Sequence, residues 1–438
     1  MSKPKELKIL LSVFLLSSGI YLSNIFIDYN KNLQTHRTRR LLTSDDLVPT
    51  TFLPYVIIKY NTIKLNNIMD DIRPIFQGGA EVPYFTTVVN GDYHSVYPLG
   101  TSLMALPFYL VPVWLGKIPH LDSHLNVLKV LFIGRVAASF FAAVSVALMY
   151  LLLSKVSKVS REGNRAWVFL FTGFYALGTT TWSISSRGLW MHTTSQLILT
   201  VLILLLFWAL KKPKLIIWCG FVAGLAVLIR PTNIVPALFV SLYVLFNYRK
   251  YFGSFVLATI PTIILYFLYN YRVFGSPLME GYAARGDHNW STPLLESIPG
   301  LLFSPARSFL FISPPLVLSY FGIAKILAKK GKRKEDVLLS YLGIIFVVAF
   351  FMISKWWAWA GANGFGYRML TEYLPIVTLF SFLVSENFKR WGKIVVIVLM
   401  IYSLYVHFNA VIFRKARCDY EHNWSLYCVS PPKRLPKY

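Results

Sequence analysis

Two adjacent carboxylates, Asp45 and Asp46, stand in a polar stretch, residues 28 to 97, that directly follows the first hydrophobic segment of the chain. A carboxylate close to a bilayer surface can take the proton of an attacking hydroxyl and so act as a general base. Repulsion between neighbours raises one of the two pKa values and favours proton uptake near neutral pH. Asp46 is the first choice for this role and Asp45 the second. Ser44 and Asp45 equally suit the cap of a helix beginning near Leu47. Of the other acids, Asp70 and Asp71 in NNIMDDIRP fit local pairing with Arg73, and Asp92 in NGDYHS fits a tight turn. The complementary chemistry is cationic. Arg187, Arg230, Arg307 and Arg368 each fall at the end of a hydrophobic segment. The planar guanidinium fork suits a phosphate, although arginines at such ends also snorkel to headgroups. Arg368 in FGYRML and Arg307 in SPARSF rank highest, because small neighbours let a phosphate approach. His192 is a candidate for orienting a substrate, as are Tyr367 and Tyr282. Glu280 lies beside Tyr282 in FGSPLMEGY with no task assigned. Trp356, Trp357 and Trp359 read first as an interfacial aromatic belt.

The elements that position these groups must be membrane helices. With 438 residues, 55% hydrophobic, 16% aromatic and 14% charged, and a mean hydropathy of +0.54, the chain has more apolar surface than a water-soluble fold can hide. Its apolar runs recur near the roughly 20 residues that cross a bilayer and lack period-2 alternation, which predicts an all-α polytopic membrane protein. The net charge of +25 would suit nucleic acid, but the basic residues sit in short clusters between apolar runs, such as KKPK and KKGKRK. Such clusters mark cytoplasmic loops. Spans are expected near 8–27, 127–153, 166–185, 193–211, 215–229, 232–247, 252–271, 309–328, 338–355, 371–385 and 393–412, about eleven in all.

With the N-terminus cytoplasmic and the first span a signal anchor, the clusters fall inside. Residues 28–126 then form a long first extracytoplasmic loop with a juxtamembrane or re-entrant helix at 98–116, broken by Pro107 and Pro112, and residues 272–308 form a second large external loop. Residues 1–412 read as one transmembrane domain and 413–438 as an extracytoplasmic tail, where Cys418 and Cys428 could pair. Cys219 falls within a span. Arg414, Lys415 and Arg417 follow the last span on the side where the charge rule does not expect them. Asn289 and Asn423 stand in Asn-Trp-Ser sequons. No metal-ligand spacing and no Gly-rich phosphate loop is present, which argues against ATP or a soluble nucleotide-sugar donor.

In order along the chain, TSDDLVPTTFLPY, GDYHSVYPLGTSLMALPFYLVP, SSRGLWMHTTS, LIRPTN, NYRVFGSPLMEGY, LLFSPARSFLFISPPL and FGYRMLTEYLP resemble the landmarks of bacterial and archaeal relatives of the protein O-mannosyltransferases, in the GT-C superfamily of integral-membrane glycosyltransferases. That resemblance implies a GT-C-type fold with an acidic residue in the first external loop. It also implies a donor sugar on a polyprenyl or dolichyl phosphate, transferred with inversion to an extracytoplasmic glycan, lipid or protein hydroxyl, in the plasma (inner) membrane. Asp46 or Asp45 would be the base, and Arg368, Arg307, Arg230 and Arg187 would hold the carrier phosphate. A divalent metal is left open, with no residue assigned to it. The pair reads Ser-Asp-Asp here where the mannosyltransferases commonly carry Asp-Glu. From other classes, a transporter or flippase of lipid-linked sugars would want inverted repeats, and none is seen. A non-catalytic scaffold leaves the ordered landmarks unexplained.

Overall fold

A computed structural model of the chain describes residues 3–35, 41–76, 81–157, 165–286, 289–361 and 364–412. Cys418, Cys428, Asn423, the cations at 414–417 and the tail lie outside the described residues. The helices, in order, are α1 (Lys3–Thr35), α2 (Val48–Tyr60), α3 (Asn66–Ile72), α4 (Gly100–Trp114), α5 (His124–Ser157), α6 (Arg165–Leu177), α7 (Thr180–Ser183), α8 (Met191–Ala209) and α9 (Ile216–Ile229). They continue as α10 (Ile234–Asn247), α11 (Phe252–Phe274), α12 (Gly281–Arg285), α13 (Leu294–Phe303), α14 (Phe309–Ile312), α15 (Leu318–Ala328), α16 (Lys334–Lys355), α17 (Leu374–Ser385) and α18 (Arg390–Ile412). Between α3 and α4, strands β1 (Thr86–Val89) and β2 (Asp92–Ser95) pair antiparallel.

Among the described residues, seven helices are long and apolar enough to cross a membrane: those over 5–30, 124–157, 191–209, 249–274, 334–355, 368–385 and 390–412. The helical, integral-membrane expectation is met. Two expected spans are interrupted instead of continuous. The 166–185 run stops at Leu177, because the Thr179 hydroxyl caps a new turn by accepting from the Thr181 amide at 3.2 Å. The 309–328 run breaks at Ser313, where Pro314 and Pro315 cannot supply the amides a continuous helix needs. In the other direction, α1 runs past residue 27 to Thr35, since no Gly or Pro stops it, and so carries Asp28 inside the helix. The 98–116 stretch forms α4 with both prolines inside it.

The residues divide into two compact units. The first comprises residues 14–145 and 185–288. Its tightest helix contact is that of α9 with α11. A Cβ on Gly220 would stand 2.1 Å from the Phe255 carbonyl oxygen, and one on Gly224 would stand 2.1 Å from the Thr262 hydroxyl. Gly220 and Gly224 form a small-xxx-small pair, the device that lets backbones approach where lipid gives no hydrophobic drive. Gly220→Leu is therefore expected to abolish monodisperse protein on size exclusion in mild detergent; wild-type yield and elution would contradict this packing. Gly100 meets the Ile229 backbone at 2.7 Å by the same measure, which fixes the start of α4 against the end of α9. The hairpin turns through Asn90 (φ 53°) and Gly91 (φ 84°), the left-handed pair that a two-residue turn between twisted strands demands. Asp92 closes it and pairs with Lys64 at 2.6 Å.

The second unit comprises residues 1–13, 146–184 and 289–438. Here α15, α16 and α17 pack through Gly322 and Gly343, both close to Phe380. At one end the Trp167 indole donates to Ser385 at 3.2 Å, Ser157 donates to Glu386 at 2.8 Å, and Lys393 lies over the Trp167 ring.

Candidate functional site

Within the first unit, Asp45, Asp46 and Leu47 form a 3-10 turn that runs straight into α2, with Pro49 in its first turn. Ser44 caps the turn in an extended conformation and accepts from the Asp46 amide at 3.3 Å. The capping reading of Ser44 is thus realised, and it serves to present the Asp46 side chain. That carboxylate is half-buried and receives the Tyr84 hydroxyl at 2.5 Å on Oδ1, a short charge-assisted bond. Burial, then the negative charge of Asp46 and its hydrogen bond, push the Tyr84 phenol far above its ordinary pKa, so it stays a donor. The Arg285 guanidinium, at the end of α12, lies 5.8 Å from the centre of the Tyr84 ring.

Leu47 is fully buried against Gly188, where a Cβ would come within 2.3 Å of a Leu47 methyl. Three residues further on, Thr50 donates to the Leu189 carbonyl at 2.7 Å. The acidic turn is thereby bolted to SSRGLW, and Asp46 and Arg187 each adjoin a residue of that contact. Arg187 ends the 3-10 turn Ser185–Arg187 and is buried. Its guanidinium reaches Asp28 at 3.5 Å, and Arg135 reaches the same carboxylate oxygen at 3.8 Å while donating to the Leu41 carbonyl at 3.1 Å. One carboxylate thus sits between two buried guanidiniums. Asp28→Asn would leave both cations without that anion, and a loss of about 3 kcal/mol in unfolding stability is expected from denaturant titration in detergent micelles. An unchanged midpoint would show that the cluster is not structural.

His192 lies in the first turn of α8 and Arg230 caps the end of α9, and both are buried. Arg230 Nη1 lies 3.1 Å from His192 Nδ1. A guanidinium can only donate, so Nδ1 accepts and the ring proton belongs on Nε2. Neighbouring bonds hold this corner: Thr101 with Thr194 at 2.8 Å, and Asn233 donating to Ser195 at 2.9 Å. Tyr282 is half-buried in α12 and packs edge-on to Tyr97 at 5.7 Å; Gly281 before it abuts the Val96 backbone. Asp70 pairs with Arg73 at 2.5 Å, as its spacing suggested. Burial, then the charges of Asp122 and Asp70, raise the Asp71 pKa.

The second unit holds Arg307, Arg368 and Tyr367. Arg307 is fully buried and donates through Nη1 to the carbonyls of Gly364 and Gly366. Arg368 begins the 3-10 turn Arg368–Tyr373, and a Cβ on Gly364 would stand 2.5 Å from its Cδ. Gly364, two residues before the glycine of FGYRML, thus makes room for the Arg368 side chain. Tyr367 is buried and shares a 2.6 Å hydrogen bond with Ser313, which also contacts His407 at 3.0 Å. Trp359 donates to Glu296 at 3.2 Å, and Trp356 packs on Trp290 at 4.7 Å. No group of three or more His, Cys, Asp or Glu that could hold a metal ion occurs among the described residues.

Sequence reasoning missed Tyr84, Arg285, Asp28, Arg135 and the fully buried Glu372. Asp28 and Arg135 did carry a signal, because ionisable residues at or inside apolar runs are costly and mark a pairing. Tyr84 in VPYF carried none.

No family model matches the chain, and no curated protein matches it. Among solved structures it is similar to the crystal structure of ArnT from Cupriavidus metallidurans bound to undecaprenyl phosphate, at 14% identity and a TM-score of 0.49, over 94% of this chain and 66% of that one. The apo state of the same protein is similar at 14% identity and a TM-score of 0.45, over 80% of this chain and 60% of that one. The chain thus spans less than two thirds of the length of the protein it resembles. Identity at that level leaves the site to be read from this chain's own residues.

Proposed function

We propose that the protein is an integral-membrane glycosyltransferase of GT-C type, moving a sugar from a polyprenyl- or dolichyl-phosphate carrier to the hydroxyl of an extracytoplasmic glycan, lipid or protein, with inversion at the anomeric carbon. Asp46 takes the acceptor's proton as the oxygen attacks, and Asp45 is the second choice. The bond to the carrier phosphate breaks as the new glycosidic bond forms, so negative charge grows on the phosphate and calls for fixed cations. Arg187 and Arg230 supply these in the unit that carries Asp46, with His192 bonded to Arg230. Tyr282 lines the acceptor side. Arg307 and Arg368 shape the glycine loop at 364–366.

One observation carries this reading: a capped acidic turn that holds its carboxylate on a phenol and is bolted through Leu47 and Gly188 to the segment bearing Arg187. The test is turnover by purified protein in lipid nanodiscs. Sugars on polyprenyl phosphate should be transferred, with the product anomer opposite to the donor's, and nucleotide sugars should not. Transfer from nucleotide sugars alone, or retention of configuration, would overturn it.

A further inference from the structure

Resting on that reading, we infer that Tyr84 is a positioning residue for the transfer, its hydroxyl holding Oδ1 of Asp46 so that the carboxylate stays ionised and keeps one orientation. Tyr84 comes from the segment before β1, some forty residues from the turn it serves, and nothing in its sequence context marks it. The hydroxyl–carboxylate distance of 2.5 Å is that of a charge-assisted bond.

The ring is itself held. Phe85 packs edge-on to it at 5.7 Å, and Arg285 lies over it at 5.8 Å. A phenol gripped on its ring and bonded at its hydroxyl fixes the rotamer of a carboxylate that is only half-buried, which a surface aspartate would otherwise sample freely. The charged groups facing it are Asp46 and Asp45 from the turn and Arg285 from α12. Burial and the two carboxylates keep the phenol protonated, so it cannot compete as the base.

The sign of the effect is set by the bond. A donor to the ionised carboxylate favours that form and lowers its pKa. Tyr84→Phe keeps the ring and removes only the hydroxyl, so the Asp46 carboxyl should ionise at higher pH. The experiment uses the full chain in nanodiscs. Asp46 is titrated by carboxylate infrared difference spectra, taken as the intact protein minus Asp46→Asn, each with and without Tyr84→Phe. Alongside, kcat and KM are followed against pH with a polyprenyl-phosphate sugar.

We expect the Asp46 titration and the acid limb of the kcat profile to move up together by about one to two pH units in Tyr84→Phe. On the plateau, kcat should fall roughly ten- to a hundredfold, with KM for the donor within about twofold. A titration that does not move overturns the inference, as does a moved titration with unchanged kcat and acid limb. If Asp46→Asn retains full transfer, or the intact protein transfers nothing, the base assignment itself fails. The inference falls with it, and that outcome is told apart from the first two by the behaviour of the Asp46 variant alone.

Discussion

Asp46→Asn should lower kcat by roughly 10²- to 10⁴-fold, the range over which a positioned general base contributes, while Asp45→Asn should cost about tenfold or less. The asymmetry follows from the turn. Asp45 occupies its first position beside the Ser44 cap, where a negative charge is favoured by the N-terminal amides of the turn. The Asp46 carboxylate is the one carried to Tyr84. Asparagine keeps the size and can still accept the Tyr84 proton, so the fold should survive and only the basicity is lost. Turnover at saturating donor, with size exclusion to confirm folded protein, decides it. Equal losses in the two variants would mean that the pair acts as a unit, and no loss in Asp46→Asn would remove the base.

Arg307→Met should give unfolded or aggregated protein rather than a folded enzyme with weak donor binding. The guanidinium has no exposed surface, and its Nη1 donates to two backbone carbonyls of the glycine loop. Methionine fills a similar volume but leaves both buried carbonyls without that donor, at about 1.5–3 kcal/mol for each bond to a charged group. The loss is a large share of the 5–15 kcal/mol that typically holds a domain together. A thermal midpoint in detergent equal to that of the parent, combined with a raised KM for the donor, would instead assign Arg307 to the carrier phosphate.

The long apolar helices were legible because twenty-residue apolar runs leave little choice of structure, and the Asn90-Gly91 turn was legible because few dipeptides adopt its backbone. The interior of the 28–97 region was not. Its helix α2 begins with Val-Pro and contains Pro54, and α3 spans only seven residues, so neither gives a clean period. At the candidate site, Asp46 and Arg187 could be singled out by residue type, but their shared anchor is a leucine methyl on a glycine, which no motif announces. The roles of Arg307 and Arg368 were read from small neighbours. In the structure Gly364 leaves room for the Arg368 side chain, and the carbonyls of Gly364 and Gly366 receive Arg307, as a buried cation requires. Charge at apolar boundaries was the signal underused. Asp28, just past the first expected span, pairs both with Arg187 and with Arg135 inside the expected 127–153 span.

The most direct measurement is an experimental structure in nanodiscs with a non-transferable analogue, a sugar joined to a polyprenyl phosphonate. The account predicts the phosphonate against Arg187 and Arg230, with the anomeric carbon facing the Asp45–Leu47 turn so that a hydroxyl held by Asp46 lies in line with the bond to be broken. A phosphonate seated away from both arginines, or a sugar whose anomeric carbon faces away from that turn, would contradict it.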